Sequence, residues 1–178
     1  PNPSPNVAGL NFAWIFKPCE ELAGDTLTVF QIDDDHIGFY LLDVSGHGAA
    51  AALLSVMISS VLSPSDESSV LTRPIEGSKQ RRIATPAEVA AHLNSRFWMD
   101  SITMQYFTIL YATLNLRTKE VRYLSAGHPA PAYLPKDGPA KILESTGPPI
   151  GWFEDSRFSE QSIRLEPGDR LFVYSDGF

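Results

Sequence analysis

The sequence is poor in cysteine, in basic residues and in long apolar runs, and each shortage excludes a class of protein. Its 178 residues include one cysteine, Cys19, so no intrachain disulfide can form and we expect a reducing, cytoplasmic location. The 14 basic and 21 acidic residues give a net charge of −7, which argues against a general binder of nucleic acid or of anionic membranes. No apolar run reaches the roughly 18 residues of a transmembrane helix, so we expect no membrane span.

The chain begins with PNPSPNVAG, which is rich in proline and lacks the basic and apolar regions of a signal peptide. Residues 1–9 are therefore predicted to be an extended linker from an upstream regulatory domain. The remaining residues, 10–178, have a length that suits one domain with a single hydrophobic core.

The first half of the sequence predicts strands followed by a helix. Apolar and β-branched residues predict strands at 10–18, 26–32 and 37–43, with the acidic turn at 33–36 closing a hairpin between the last two. Residues 48–62 predict a helix that is apolar nearly all round, so we expect it to be buried on most faces.

The second half begins with a polar stretch, residues 63–84, that has no periodicity and is predicted to be a long loop. A helix follows it, because Thr85 suits the N-cap, Pro86 the first helical position and Glu88 the capping box. Six further segments predict strands: YFTILYATLNL, VRYLSAG, PAYLP, KILES, FSEQSIRL and RLFVYSD. Many strands around two helices indicate an α+β fold in which sheets pack together and helices lie outside.

Three carboxylates stand at the ends of predicted strands, each beside or close to a glycine: Asp25, Asp43 and Asp176. Three negative charges that meet at one place repel each other unless a cation holds them. Hard divalent ions such as Mg²⁺ or Mn²⁺ prefer such oxygen ligands, and a pair of them can promote phosphoryl hydrolysis. The spacing alone leaves open that the three carboxylates only cap turns. The aspartates at 33–35 are expected to be a solvated hairpin turn and not a metal site.

Six motifs occur in an order and at a spacing that resemble one protein family. They are PCEELAGD, LLDVSGHGAAAALLS, YFTILYATLN, RYLSAGHPAP, GPPIGW and LEPGDRLFVYSDGF. Together they resemble the SpoIIE/RsbU-like branch of the metal-dependent Ser/Thr phosphatases, the bacterial relatives of protein phosphatase 2C. The resemblance covers residues 18–178, which is nearly the whole chain.

This resemblance implies an α/β/β/α sandwich of two mostly antiparallel sheets with a two-metal centre, of Mn²⁺ or Mg²⁺, at one edge. It implies that Asp25 ligates one ion, that Asp43 bridges both, that the backbone carbonyl of Val44 is a further ligand, and that Asp176 ligates the other ion. A water between the ions would attack the phosphorus of phosphoserine or phosphothreonine without a covalent enzyme intermediate. Gly46 would let the backbone turn tightly beside the bridging carboxylate, as would Gly48 two residues later.

The sequence departs from the family pattern at two places. Ala23 and Thr26 stand where the usual motif around Asp25 has a glycine and an aromatic residue, so the pocket wall is expected to differ. The family also carries a segment after the Asp-Gly, with a helix, more strand and a late metal-binding aspartate, whereas this sequence ends at Phe178. We therefore expect an incomplete domain whose second metal site lacks one ligand in this chain.

Two histidines lie in the matched motifs, and neither is predicted to be the general acid. The eukaryotic branch has a histidine two residues after the bridging aspartate, but Ser45 stands there and His47 is four residues on. His47 is therefore expected to serve the turn or the helix start. His128 lies between two predicted strands and is expected to be structural.

The resemblance implies a substrate and partners. The usual substrate of this branch is a phosphorylated anti-sigma-factor antagonist, a small protein of the STAS type. A receiver or sensor domain often precedes the phosphatase domain, and the PCEELAGD motif looks most like response-regulator-fused members. We expect no nucleic-acid or membrane partner, and a homodimer is left open.

One alternative is a scaffold of the same fold that has little or no catalytic activity and binds a regulatory partner. Two other functions are excluded by the residues present. A phosphate-binding P-loop is excluded because no lysine follows the glycines of DVSGHG. A serine hydrolase with Ser45 as nucleophile is excluded because Asp43 stands where G-x-S-x-G needs its first glycine.

Overall fold

The computed structural model describes residues 5, 7–15, 24–65, 69–98 and 105–175, and within them ten strands and two helices. In chain order the elements are β1 (Thr26–Asp33), β2 (His36–Val44), α1 (Ala49–Val61), β3 (Thr72–Pro74), β4 (Arg81–Ile83), α2 (Pro86–Arg96), β5 (Phe107–Asn115), β6 (Glu120–Ala126), β7 (Ala132–Leu134), β8 (Lys141–Ile142), β9 (Gln161–Arg164) and β10 (Arg170–Phe172).

A five-stranded antiparallel sheet in the order β1-β2-β5-β6-β9 forms the centre of the fold. A second sheet has the order β10-β7-β8, and β3 and β4 form a short ribbon of their own. The β-branched and aromatic residues of β1, β2 and β5 favour extended backbone that packs on both sides. The predicted α+β class with antiparallel sheets and two helices is confirmed.

Both helices pack on one face of the five-stranded sheet, α1 against β2 and α2 against β5 and β6. The main core lies between them, where Leu42 and Ile109 from the sheet meet Ile58 and Leu93 from the helices, all four fully buried. Burial of a side chain of this size contributes about 1.5–3 kcal/mol, so this layer supplies much of the stability.

The opposite face of the five-stranded sheet packs on a second core, which includes Ile37, Leu114 and Tyr123 from that sheet and Leu171 from β10. The three-stranded sheet therefore covers this face, and the two sheets enclose a second apolar layer. Within the described residues both helices lie on the five-stranded sheet, so the outer helix layer expected beside the second sheet is not among them.

The start of α2 follows the prediction. Thr85 accepts a hydrogen bond from the Glu88 amide at 3.3 Å, and the Glu88 carboxylate accepts one from the Thr85 amide at 2.9 Å. Pro86 occupies the first helical position, where its missing N–H leaves no intrahelical bond unmade. The capping box is therefore confirmed.

Helix α1 differs from its prediction in burial. Ala51 and Ile58 are fully buried, but Leu53, Val56 and Met57 are 66%, 66% and 58% exposed. The expectation that this helix is buried on most faces is wrong, since only one side of α1 faces the sheet. At 13 residues it is the longer of the two described helices, and neither is long and apolar enough to cross a membrane.

Three other segments differ from the sequence predictions. Residues 10–15, the described part of a predicted strand, form no strand, although Leu10 packs against the second core. Val7, within the predicted linker, packs there too. The predicted loop at 63–84 contains the β3–β4 ribbon, because Arg81 donates to the side chain and the carbonyl of Thr72. The sequence pattern missed this ribbon because polar side chains link its strands, and polar residues produce no hydrophobic periodicity.

Candidate functional site

Strands β1 and β2 bring Asp25 and Asp43 to the same end of the five-stranded sheet. Thr26 pairs with Leu42 across the antiparallel ladder, so one step further along the register Asp25 lies opposite Asp43. Directly opposite residues share a face and have Cβ atoms about 4.5–5.5 Å apart. Two of the three predicted carboxylates are thus brought together, and Asp176 lies outside the described residues.

Asp43 lies on the face that packs toward the second sheet. Side chains alternate along a strand, and Leu42 and Val44 on either side of Asp43 belong to the core beneath the helices. Asp25 and Asp43 are both partly buried. Carboxylate oxygens on facing strand ends could hold an oxygen-seeking divalent cation.

Gly24 lies close to Val44, the residue whose carbonyl the resemblance assigns to a metal. A Cβ atom at position 24 would lie 3.0 Å from the Val44 carbonyl oxygen and 3.1 Å from its Cβ. The Val44 side chain is 2% exposed in the main core, so it has little room to yield. Glycine before Asp25 therefore lets β1 approach the end of β2 closely.

A tight turn follows β2 and leads into α1. Gly46 and Gly48 have φ angles of 88° and 77°, in the left-handed region that glycine adopts without a steric penalty, as predicted. The Ser45 amide donates to the Tyr106 carbonyl at 2.9 Å, and the Tyr106 amide donates to Ser45 Oγ at 3.0 Å. These bonds hold the turn against the start of β5, while His47 is exposed within it.

Thr108 is a site residue that the sequence interpretation missed. It pairs directly with Asp43 across β2 and β5, so their side chains share the face toward the second sheet. Its Oγ1 lies 2.8 Å from Nδ1 of His128, which is 3% exposed in the connection after β6. The available signal was a hydroxyl residue at the second position of the largely apolar strand FTILYATLN, at the same end of the sheet as the carboxylates.

The GPPIG motif forms a loop that α2 holds in place. Asn94, only 4% exposed, accepts a hydrogen bond from the Gly151 amide at 2.8 Å and donates to the carbonyls of Phe153 and Glu154 at 3.0 and 3.1 Å. Ile150 also forms a bridge with the first residue of β5. The loop is therefore tied both to a helix and to the sheet, although it contributes no group of evident chemistry.

A groove of about 550 Å³ runs along β1 and the C-terminal half of α1. Asp25 lines it together with Phe30, Tyr40 and Leu62, among other residues. The groove lies on the helix side of the sheet, since Tyr40 and Leu62 belong to the main core, and it borders Asp25 beside the edge strand β1. Within the described residues, no cluster of three or more metal-ligating side chains of His, Cys, Asp or Glu occurs.

Residues 33–178 match the family model described as Stage II sporulation protein E (SpoIIE). The chain is 30% identical over 162 residues to the phosphoserine phosphatase RsbP of Bacillus subtilis, which covers 91% of this chain and 38% of RsbP. The chain thus spans well under half the length of that curated relative.

Solved structures of similar fold include the SiaA-PP2C domain of Pseudomonas aeruginosa, with a TM-score of 0.70 and 17% identity over 92% of this chain and 60% of that one. The structure of RsbX in complex with magnesium has a TM-score of 0.64 and 15% identity over 92% of this chain and 71% of that one. Both likenesses concern the fold.

Proposed function

Because the chain belongs to the SpoIIE family, we propose that it carries a metal-dependent protein phosphatase domain that hydrolyses phosphoserine or phosphothreonine on a protein. The observation that supports this proposal is the register of β1 and β2: Thr26 pairs with Leu42 and Gly24 approaches Val44, so Asp25 and Asp43 are expected to lie opposite each other at one end of the sheet. The name of RsbP, a phosphoserine phosphatase, supports the reaction.

The residues at this strand end fit a site for Mn²⁺ or Mg²⁺. The donors are carboxylates and, next to them, the backbone carbonyl of Val44, which are the hard oxygen ligands that these ions prefer. The structure of RsbX with magnesium supports a divalent ion in this fold. We propose Asp25, Asp43 and the Val44 carbonyl as ligands, with Asp176 as a further ligand from beyond the described residues.

The chain's own residues hold this site rigid. Gly24 lets the chain before Asp25 approach Val44, and the mutual bonds of Ser45 and Tyr106 hold the turn that follows Asp43. When bound, two divalent ions would supply the positive charge that a phosphoryl group needs and would lower the pKa of an attacking water. No serine or cysteine nucleophile is required by this scheme.

The substrate and the control of the site are proposals that come from the family. We propose that the domain acts in the cytoplasm on a phosphorylated anti-sigma-factor antagonist of the STAS type, and that an upstream receiver or sensor domain regulates it. RsbP itself extends well beyond the matched part, since the chain covers 38% of it.

The first experiment is hydrolysis of p-nitrophenyl phosphate and of a phosphoserine peptide while Mn²⁺ is titrated into the chain. We expect turnover that requires Mn²⁺ and that disappears in Asp43→Ala, while the far-UV circular dichroism of the variant stays native. Asp35→Ala, at the other end of the same hairpin, is the matched control and should keep full turnover. Unchanged turnover in Asp43→Ala would contradict the assignment, and Mn²⁺ binding without any turnover would favour the scaffold.

A further inference from the structure

We propose that Thr108 and His128 are a positioning pair for Asp43: the imidazole of His128 donates its Nδ1–H to Thr108 Oγ1, and the Thr108 hydroxyl then turns its proton toward the Asp43 carboxylate on the neighbouring strand when that carboxylate holds a metal ion. This inference rests on the proposed function, since it assigns a task at the same metal site. Neither residue would touch substrate or metal.

The register of the sheet places Thr108 where this task requires. Asp43 and Thr108 are paired residues of β2 and β5, and both lie on the face toward the second sheet. Thr108 Oγ1 is 2.8 Å from His128 Nδ1. A hydroxyl has a single proton, so a ring that donates to it obliges the hydroxyl to direct that proton to another acceptor, and a carboxylate is a strong one.

Several contacts hold the backbone on either side of the His128 ring in place. Ser125, which is fully buried, donates its hydroxyl to the His128 carbonyl at 2.6 Å. Gly127 has a φ of 64°, and its amide donates to the Gly147 carbonyl at 2.8 Å. Pro149 packs so closely on Gly127 that a Cβ there would lie 2.5 Å from the proline ring.

A buried ring held in this way is what an outer partner of a metal ligand needs. Groups that hydrogen-bond a ligating carboxylate fix its orientation, and their loss lowers metal affinity or activity by about 10–100-fold.

The test compares Thr108→Val, which keeps the shape and removes the hydroxyl, with Thr108→Ser, which restores it. Thr113→Val is the matched control, because Thr113 lies on the same strand, is 6% exposed and pairs with Gly38 far from Asp43. Calorimetric titration with Mn²⁺ alone gives the dissociation constant, and thermal unfolding in EDTA gives the stability of the metal-free chain. Nitrogen-15 NMR of the metal-free chain reports the tautomer of His128.

We expect the dissociation constant for Mn²⁺ to rise about 10–100-fold in Thr108→Val, to return toward that of the parent in Thr108→Ser, and to stay unchanged in Thr113→Val. We also expect the parent chain to carry the His128 proton on Nδ1. Parent-like binding by Thr108→Val, or a proton on Nε2 alone, overturns the positioning pair and leaves the phosphatase intact. A parent chain that binds no Mn²⁺ through Asp43 overturns the proposed function and this inference with it.

Discussion

The β1–β2 hairpin carries carboxylates at both of its ends, and the two ends hold them differently. At the turn, Asp33 accepts hydrogen bonds from the Asp35 amide at 2.9 Å and from His36 Nδ1 at 2.8 Å, and Asp35 pairs with Arg117 at 3.2 Å. Partial burial works against ionisation of Asp33, but these bonds prevail and lower its pKa. Asp33 and Asp35 thus have hydrogen-bond or ion-pair partners in or beside the hairpin turn. The acidic turn between β1 and β2 agrees with the prediction.

At the open end of the hairpin, two carboxylates that are far apart in sequence stand at facing positions, as the register of β1 and β2 indicates. Asp25 and Asp43 are partly buried, and each is held by its own strand. Carboxylates that are adjacent in sequence are poorly placed to bind one metal ion together, because neighbouring side chains in a tight turn point apart into solvent. Residues 18 positions apart converge because an antiparallel register sets them opposite each other.

The most direct test of this difference is to remove the carboxylates from one end of the hairpin at a time and to measure hydrolysis. We expect Asp25→Asn with Asp43→Asn to lower Mn²⁺-dependent hydrolysis by at least about 100-fold, since direct ligands should matter more than outer partners. Asp34→Asn with Asp35→Asn at the turn should leave hydrolysis within about twofold. The two open-end substitutions should also be far from additive, because they disable one site. A similar loss of hydrolysis from the substitutions at the turn would contradict the assignment, because it would mean that activity depends on the total negative charge of the hairpin and not on where the carboxylates lie.

A smaller effect is expected where β1 approaches β2. In Gly24→Ala the added Cβ, 3.0 Å from the Val44 carbonyl oxygen, should push that oxygen aside. We expect the Mn²⁺ concentration for half-maximal activity to rise about tenfold, an effect of the size seen when a ligand loses its support.

Gly38→Ala provides the contrast in the middle of the same hairpin. Its Cβ would lie 2.5 Å from the Phe30 ring, so it should lower the free energy of unfolding by about 1–3 kcal/mol without changing the Mn²⁺ requirement. Denaturant unfolding and Mn²⁺ titration of both variants separate the two outcomes, and equal Mn²⁺ requirements would remove the role given to the Gly24 contact.

The smallest expected effect is the contribution of the Glu88 carboxylate, which has only a structural role, to the free energy of unfolding. The hydrogen-bonded Arg82 guanidinium, then the Thr85 amide, lowers the pKa of Glu88 from 4.5 to about 2. Because the folded chain binds the proton less tightly, this stability is present above pH 4.5 and is lost as the pH falls toward 2. Since the Glu88 side chain is 35% exposed, we expect about 1 kcal/mol.

Urea unfolding between pH 2 and 7 checks this value. Glu88→Gln should be less stable than the parent at pH 7 and should lose less stability on acidification. Asp33→Asn at the exposed turn should change stability at pH 7 by less than about 0.5 kcal/mol. A Glu88→Gln variant that follows the parent's curve at every pH would contradict the pKa assignment.

Sequence patterns and structure agree where local chemistry decides. The capping box of α2 lies within four residues, and the left-handed glycines of the turn after β2 are set by their own backbone freedom. The strand at 10–18 was wrong in its described part, because an apolar alternation there is used to pack Leu10 and Phe12 on a core and not to extend a sheet. The exposed side of α1 could not be foreseen from a helix that is apolar all round.

The sequence by itself determined the family, the α+β class, the acidic turn and the candidates Asp25, Asp43, Val44 and Asp176, because motif order and local propensity are written along the chain. Only the tertiary structure decided which of these groups meet. The pairing of Asp25 with Asp43, the contact of Gly24 with Val44 and the link from Thr108 to His128 depend on strand register and on the return of the chain after β6. Such long-range relations place residues side by side that no local pattern connects.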